Sequence, residues 1–425
     1  MIGATALLLL LAVAPAADGR LPFGTKSEAA AAAAREALQI LVRSGGQGPN
    51  SRTIGDVAQR AVDADPDFAL AHYLLGYGFR ADWPDASEVQ FERARALAPQ
   101  APEGERRFIE AALLWRAQGR DEARDAFEAL ARDYPNEPIV HLNLGLLYGS
   151  RDEAAARKAF EAAARLDPAA AFAHWQAGNL YAQKHEAAVA REQYEAAWEQ
   201  RQGLSQAPDL LISIALTYLE EGRRPEALAR VDEHLRLRSA STMTVSAWNF
   251  IGHLRLEAGD AAGGLAAYEK GYEWLKTSGW SPDEQQVWIG RYHHGRGRCL
   301  ARLGRHEEAW AEAEVVRRMI EAGGEAGKQY LPAYHFLAGY VKLEAGDAKA
   351  AVEHLEQAGA QHDPHRTLLL SRAYESLGER EKAREGYRTV LERRGGGLES
   401  SISYPEARAR LAVLDAPASP AEAKR

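Results

Sequence analysis

Four prolines, Pro66, Pro99, Pro135 and Pro168, stand 33, 36 and 33 residues apart, and each closes an alanine-rich stretch of helical periodicity. A period of this length means that one helical unit is copied along the chain. Such a unit cannot bury its apolar face alone, so the copies must stack and share a continuous core.

The copies are plainest in DEARDAFEALARDYP from Asp121, EAAARKAFEAAARLDP from Glu153 and EREKAREGYRTVL from Glu379. Small residues recur at Ala123, Ala156, Ala190, Ala227, Gly264, Ala309, Ala351 and Ala383. Four residues after each comes Phe127, Phe160, Tyr194, Val231, Tyr268, Ala313, Leu355 or Tyr387. That spacing puts both on one helix stripe, which packs inward. The steps between small positions are 33, 34, 37, 37, 45, 42 and 32, so the middle copies have lengthened.

A second helix precedes each of these. Its signal is a glycine beside an apolar residue, as in Leu75-Gly76, Leu144-Gly145 and Ile251-Gly252. Glycine costs about 1 kcal/mol in a helix relative to alanine, and close approach of a neighbouring helix offsets that cost. Short turns such as Leu303-Gly304-Arg305 join the two helices into hairpins.

The chain resembles the tetratricopeptide repeat (TPR) family. The repeat from His141 carries Leu144, Gly145, Tyr148, Ala156, Phe160, Ala163 and Pro168; the repeat from His174 carries Gly178, Tyr181, Ala190, Tyr194 and Ala197. The resemblance implies an all-α, right-handed superhelical solenoid of stacked antiparallel helix hairpins, about nine to ten repeats over residues 27–393. In that family the first helix of each hairpin lines the concave groove. Carried over to this sequence, the groove residues are Tyr73, Tyr77, Arg80, Phe172, Trp175, Asn179, Asn249, His253, His294, Arg298, Phe336 and Tyr340, with Arg291 beside His294. The family's clamp for C-terminal carboxylates needs a lysine and an asparagine at set positions; only Asn179 fits, so binding of that kind is not expected.

The flanks carry separate signals. Ala6 to Ala14 is a short apolar run ending in Ala14-Pro15-Ala16, which reads as a signal peptide over residues 1–17 and predicts export to the periplasm or the extracellular space. The run is too short to span a bilayer, so no integral membrane span is expected. Residues 18–26 read as a linker, 394–414 as a capping helix for the open end of the core, and 415–425 as a disordered tail. Net charge is −8 and the pI about 6.0, which argues against nucleic acid as a partner.

No catalytic or metal-binding motif stands out. None of the 13 histidines forms a His-Glu-x-x-His arrangement, and the single cysteine, Cys299, sits at an apolar helix position. His362 and His365 flank Pro364 in what reads as a solvated turn, with contact to a metal ion as the alternative. The sequence therefore predicts no enzyme, no metal and no cofactor. It predicts an exported scaffold that binds a protein or peptide segment in its groove. Aromatic rings would supply contact area, asparagine amides would pair with backbone, and arginines would take anionic groups. The alternative is an accessory protein of a polysaccharide export or cell-envelope assembly system, with the aromatic residues stacking on sugar rings.

Overall fold

The computed structural model describes residues 18–416 apart from 47–48, 118, 150, 203, 205–206, 239–242 and 360–362. The expected signal peptide and the tail beyond Ala416 lie outside the described residues. The chain is all-α, with no strand among the described residues. It divides into two compact units, one of residues up to Leu180 with Glu192–Leu210, the other of Tyr181–Arg191 with Leu211–Arg425.

The first unit stacks hairpins α1 (Glu28–Ser44) with α2 (Pro49–Ala64), α3 (Ala69–Phe79) with α4 (Pro84–Leu97), α5 (Glu103–Arg116) with α6 (Arg120–Asp133), and α7 (Pro138–Tyr148) with α8 (Glu153–Leu166). The first helix of the next hairpin, α9 (Ala171–Gln183), begins here and is followed by α10 (Ala187–Glu199). The second unit continues with α11 (Ala207–Glu220), α12 (Arg224–Leu237), α13 (Val245–Glu257), α14 (Ala261–Lys276), α15 (Pro282–Arg302) and α16 (His306–Ala322). It is completed by the short α17 (Gly324–Gly327), α18 (Leu331–Glu344), α19 (Ala348–Gln357), α20 (Pro364–Ser376), α21 (Arg380–Leu391) and α22 (Leu398–Asp415).

The repeating prolines fall just beyond α2, α4, α6 and α8, where the fixed ring and missing N–H end a helix. Every one of the sixteen small and large stripe positions is buried, all on second helices. Aspartates cap several of these helices: the side chains of Asp152, Asp260 and Asp347 accept from the N–H three residues on. The lengthened middle copies become the 21-residue α15, the 17-residue α16 and the extra turn of α17.

In the second unit, α22 binds both ends of the stack. Leu398 and Ile402 join the buried cluster of Ala215, Leu219, Val231 and Ile251, while Ala407 and Leu414 join that of Leu368, Ala383 and Tyr387. His185 adds a tie: its Nδ1 meets Glu220 Oε1 at 2.5 Å, its Nε2 meets the Arg393 carbonyl at 2.7 Å, and its ring stacks on Tyr404 at 3.8 Å.

In the first unit, the segment before α1 is tied down rather than loose. The Leu21 N–H donates to Glu137, the Gly24 N–H donates to Glu105 at 2.5 Å, and Phe23 packs 5.8 Å from Phe68. Glu105 also accepts from the Leu70 N–H at 2.9 Å. Burial outweighs these two donors and pushes the Glu105 carboxyl up to about 7. A carboxyl raised above its unfolded value of 4.5 holds its proton more tightly in the native state. Its contribution to stability is therefore complete below pH 4.5 and is lost as pH rises through 7, by about 3 kcal/mol. Urea unfolding at stepped pH should show that decline in wild type and a flatter profile in Glu105→Gln.

A candidate ligand cavity in the second unit

The second unit has five first helices, α11, α13, α15, α18 and α20. α15 sets the geometry. Ser281 and Glu284 form a reciprocal cap at its start, fixing where the helix begins and hence which residues face inward. Arg291, His294 and Arg298 follow at i, i+3 and i+7, so they form one stripe. That stripe borders a cavity of about 660 Å³, which His253 of α13, Phe336 of α18, and His365 and Arg366 of α20 also line. The apolar lining comes mainly from α16, through Val316, Met319 and Ile320, and from Val287, one turn before Arg291 on α15.

The polar side of the cavity is built around a buried arginine and a buried glutamate. Arg298 is 5% exposed, donates to the Tyr268 hydroxyl at 3.0 Å, and keeps Nε and Nη1 without a hydrogen-bond partner. Around the Glu257 carboxylate stand Arg298 at 3.8 Å, Arg302 at 3.6 Å, His365 at 3.6 Å and His253 at 3.9 Å, each beyond hydrogen-bond distance. Burial, reinforced by the nearby Arg298 guanidinium, holds His253 and His294 well below the ordinary imidazole value. Burial also lowers His365, although Glu257 opposes it. The three imidazoles are thus neutral near pH 7.

His253, Glu257 and His365 bring their ligand atoms within 4.8 Å of one another, as a divalent metal would require. The donor types fit, but the surroundings do not. Two guanidiniums already face the same carboxylate, and a divalent cation there would sit beside two fixed positive charges.

The sequence-derived groove residues part company here. His253, His294, Arg298 and Phe336 converge on the cavity, together with Arg291. Tyr73 instead packs in the core between Phe91 and Phe108, with ring centroids 5.8 Å away in both cases. Tyr340 is fully buried, and its hydroxyl accepts from Arg302. Asn249 turns back on its own helix, donating to the Val245 carbonyl, and Asn179 accepts from the Tyr194 hydroxyl, so neither amide is free to pair with a passing backbone. Trp175 is half-buried, edge-on to Phe172 at 6.3 Å.

Tyr77, Arg80 and Phe172 are engaged by the chain itself. α1 contacts both α3 and α7, so it lies across the first helices of this unit. Arg35 of α1 pairs with Glu137 at 3.0 Å, and Arg43 pairs with Asp167 at 2.9 Å, beside the start of α9. At the end of α1, a Cβ on Gly45 would strike the Phe172 ring, and one on Gly46 the Tyr77 ring. Arg80 stacks 3.5 Å over Tyr77 and donates to the Gly46 carbonyl at 2.7 Å. In the first unit, the face expected to receive a partner is occupied by residues 18–46.

Residues 110–155, which span α5 to the start of α8, match the family model described as tetratricopeptide repeat. The same hairpin, with the same small and large stripe, recurs on either side of that stretch. The chain contains a tetratricopeptide repeat. Its array is similar to the C-terminal part of a TPR protein from Cytophaga hutchinsonii, at 17% identity over 59% of this chain and 93% of that one, with a TM-score of 0.44. It is also similar to a tetratricopeptide repeat protein from Parabacteroides merdae, at 14% identity over 64% of this chain and 97% of that one, with a TM-score of 0.45. No curated protein matches the chain.

His365 and Arg366 are among the cavity residues that the family frame did not give. Pro364 opens α20 rather than sitting in a solvated turn, because Asp363 caps it by accepting from the N–H groups of His365 and Arg366. His365 is accordingly buried in the first turn of a TPR helix. The Asp-Pro pair that precedes it is a helix-start signal and could have placed it there. His293 and His294 point apart as adjacent helical residues must: His293 bonds Glu312 at 2.6 Å, whereas His294 faces the cavity. Cys299 is buried, and burial pushes its thiol up to about 12, as expected for a packing residue.

Proposed function

We propose that this TPR protein is a non-enzymatic scaffold that binds a peptide segment of a protein partner in the cavity of its second unit. One contrast carries the reading: the first-helix face of the first unit is filled by the chain's own residues 18–46, whereas that of the second unit borders an open cavity of about 660 Å³. Its size suits one or two inserted side chains, and its mix of apolar wall and a few convergent polar groups is that of a binding site. Export is part of the proposal and rests on the apolar run ending in Ala14-Pro15-Ala16. Among the described residues, no helix is long and apolar enough to cross a membrane.

Peptides selected by display on the full chain provide the test. Val287 is 41% exposed at the cavity, so Val287→Asp should weaken the selected peptides by about tenfold without disturbing the fold. Trp175→Ala, in the first unit, should leave them unchanged. Peptides sensitive to Trp175→Ala and indifferent to Val287→Asp would overturn the assignment.

A further inference from the structure

The cavity is amphipathic, and its polar side has more donors than acceptors left over. Arg298 Nε and Nη1 and Arg366 Nε are buried donors without a hydrogen-bond partner, the last in an ion pair with Asp363 at 3.5 Å, and Glu257 Oε1 is an acceptor in the same state; His253 Nε2 is also unpartnered and donates or accepts according to its tautomer. Buried donors of this kind are costly unless a ligand satisfies them. Arg291, seven residues before Arg298 on the same stripe, stacks 4.5 Å from Trp288 and has no ion pair among those found in the described residues. Three carboxylates also border the cavity, but Asp363 is committed to capping α20 and Asp283 is exposed at the start of α15; the third, Glu399, is half-buried. Glu257 is already shared among two guanidiniums and two imidazoles. The same cavity is lined by the apolar side chains of Val316, Met319 and Ile320.

We infer that the occupant is a peptide carboxylate flanked by a large apolar side chain, with the carboxylate on Arg298 and the apolar group against α16. The inference rests on the peptide-binding reading above. An arginine with unpaired N–H groups in a water-poor site binds a carboxylate far more strongly than an amide, because charge-assisted hydrogen bonds are the stronger kind. A positive ligand is excluded by Arg291 and Arg298, and a purely apolar one would leave the buried donors unpaired. The carboxylate can come from an internal Asp or Glu or from the chain end; the chemistry at Arg298 is the same.

The display peptides that depend on Val287 supply the probes. Each is synthesised with its acidic residue, with the matching amide (Glu→Gln or Asp→Asn), and with a free or amidated C-terminus, and is titrated calorimetrically into the full chain. The carboxylate form should bind about tenfold or more tightly than its amide in wild type, and Arg298→Met should erase that difference. Arg291→Gln, at an exposed position, should reduce it in a chain whose helical spectrum is unchanged, which guards against a folding defect in Arg298→Met. Whether the side-chain or the terminal change carries the loss tells the two sources apart. Equal affinity of acid and amide, or a difference that persists in Arg298→Met, overturns the inference while leaving peptide binding intact. One equivalent of Zn²⁺ retained by the purified chain and lost in His253→Ala would overturn it in favour of a metal site. A selection that yields no Val287-dependent peptide would overturn the peptide-binding reading itself, and this inference with it.

Discussion

Replacing Gly290 by tryptophan is expected to abolish ligand binding in the second unit while leaving the fold intact. Gly290 lies one residue before Arg291 on α15 and borders the cavity. A Cβ built there meets only the terminal methyl of Met319, at 3.9 Å, so a side chain can grow into the open space rather than into packed core. The indole would occupy the volume between the cationic stripe and the α16 wall. Replacing a helical glycine by tryptophan also gains about 0.5 kcal/mol of helix propensity, which opposes any packing loss. Selected peptides should lose affinity by about two orders of magnitude, the scale of a central anchor of an interface. Calorimetric titration reads the loss, and an unchanged melting temperature shows that it is not unfolding.

Gly78→Ala is expected to be among the most damaging single-methyl additions in the first unit. A Cβ at Gly78 would sit 2.4 Å from the Gly55 Cα and 2.5 Å from the Gly55 N, and this is backbone, which cannot rotate away. α2 and α3 must then separate, and with them the Ser51 hydroxyl that donates to the Gly78 carbonyl at 3.0 Å. Overpacking of this kind costs about 3 kcal/mol or more. The same change on the facing helix should behave differently. At Gly55 a Cβ would lie 3.5 Å from the Gly78 Cα, an ordinary contact, so Gly55→Ala should be within about 1 kcal/mol of wild type and can even stabilise through helix propensity. Urea unfolding of the two variants side by side separates close approach at Gly78 from a general dislike of bulk at this crossing.

These two expectations mark what the residue pattern carries and what it does not. Period and stripe identified the helices and their buried faces correctly, because one apolar stripe per helix is a local property. Glycine beside an apolar residue correctly marked close approach: a Cβ on Gly145 would lie 2.5 Å from the Phe160 ring, and one on Gly252 2.8 Å from that of Tyr268. Groove residues depend on something less local. Tyr340 and Phe336 are one turn apart on α18, yet Phe336 borders the cavity and Tyr340 is enclosed, a difference made by how α15 and α20 pack against that helix. Nothing in the alanine-rich α1 announces that it will cross to α7, since its own stripe reads like that of any other helix in the array. The ties that hold α1 and the segment before it are Glu105, Glu137 and Asp167, three carboxylates scattered over more than sixty residues. The best-matched repeats are consequently those whose face is already taken, and the drifting repeats around α15 keep theirs open.

Hydrogen exchange on the full chain, with and without a selected peptide, tests this division most directly. The account predicts that amides of α1 are protected in the free protein and unchanged by peptide, while exchange slows in Pro282–Arg302 and Leu331–Glu344. Faster exchange in Glu28–Ser44 on peptide addition, with no change in α15 or α18, would show the peptide displacing α1 from the first unit and would contradict it.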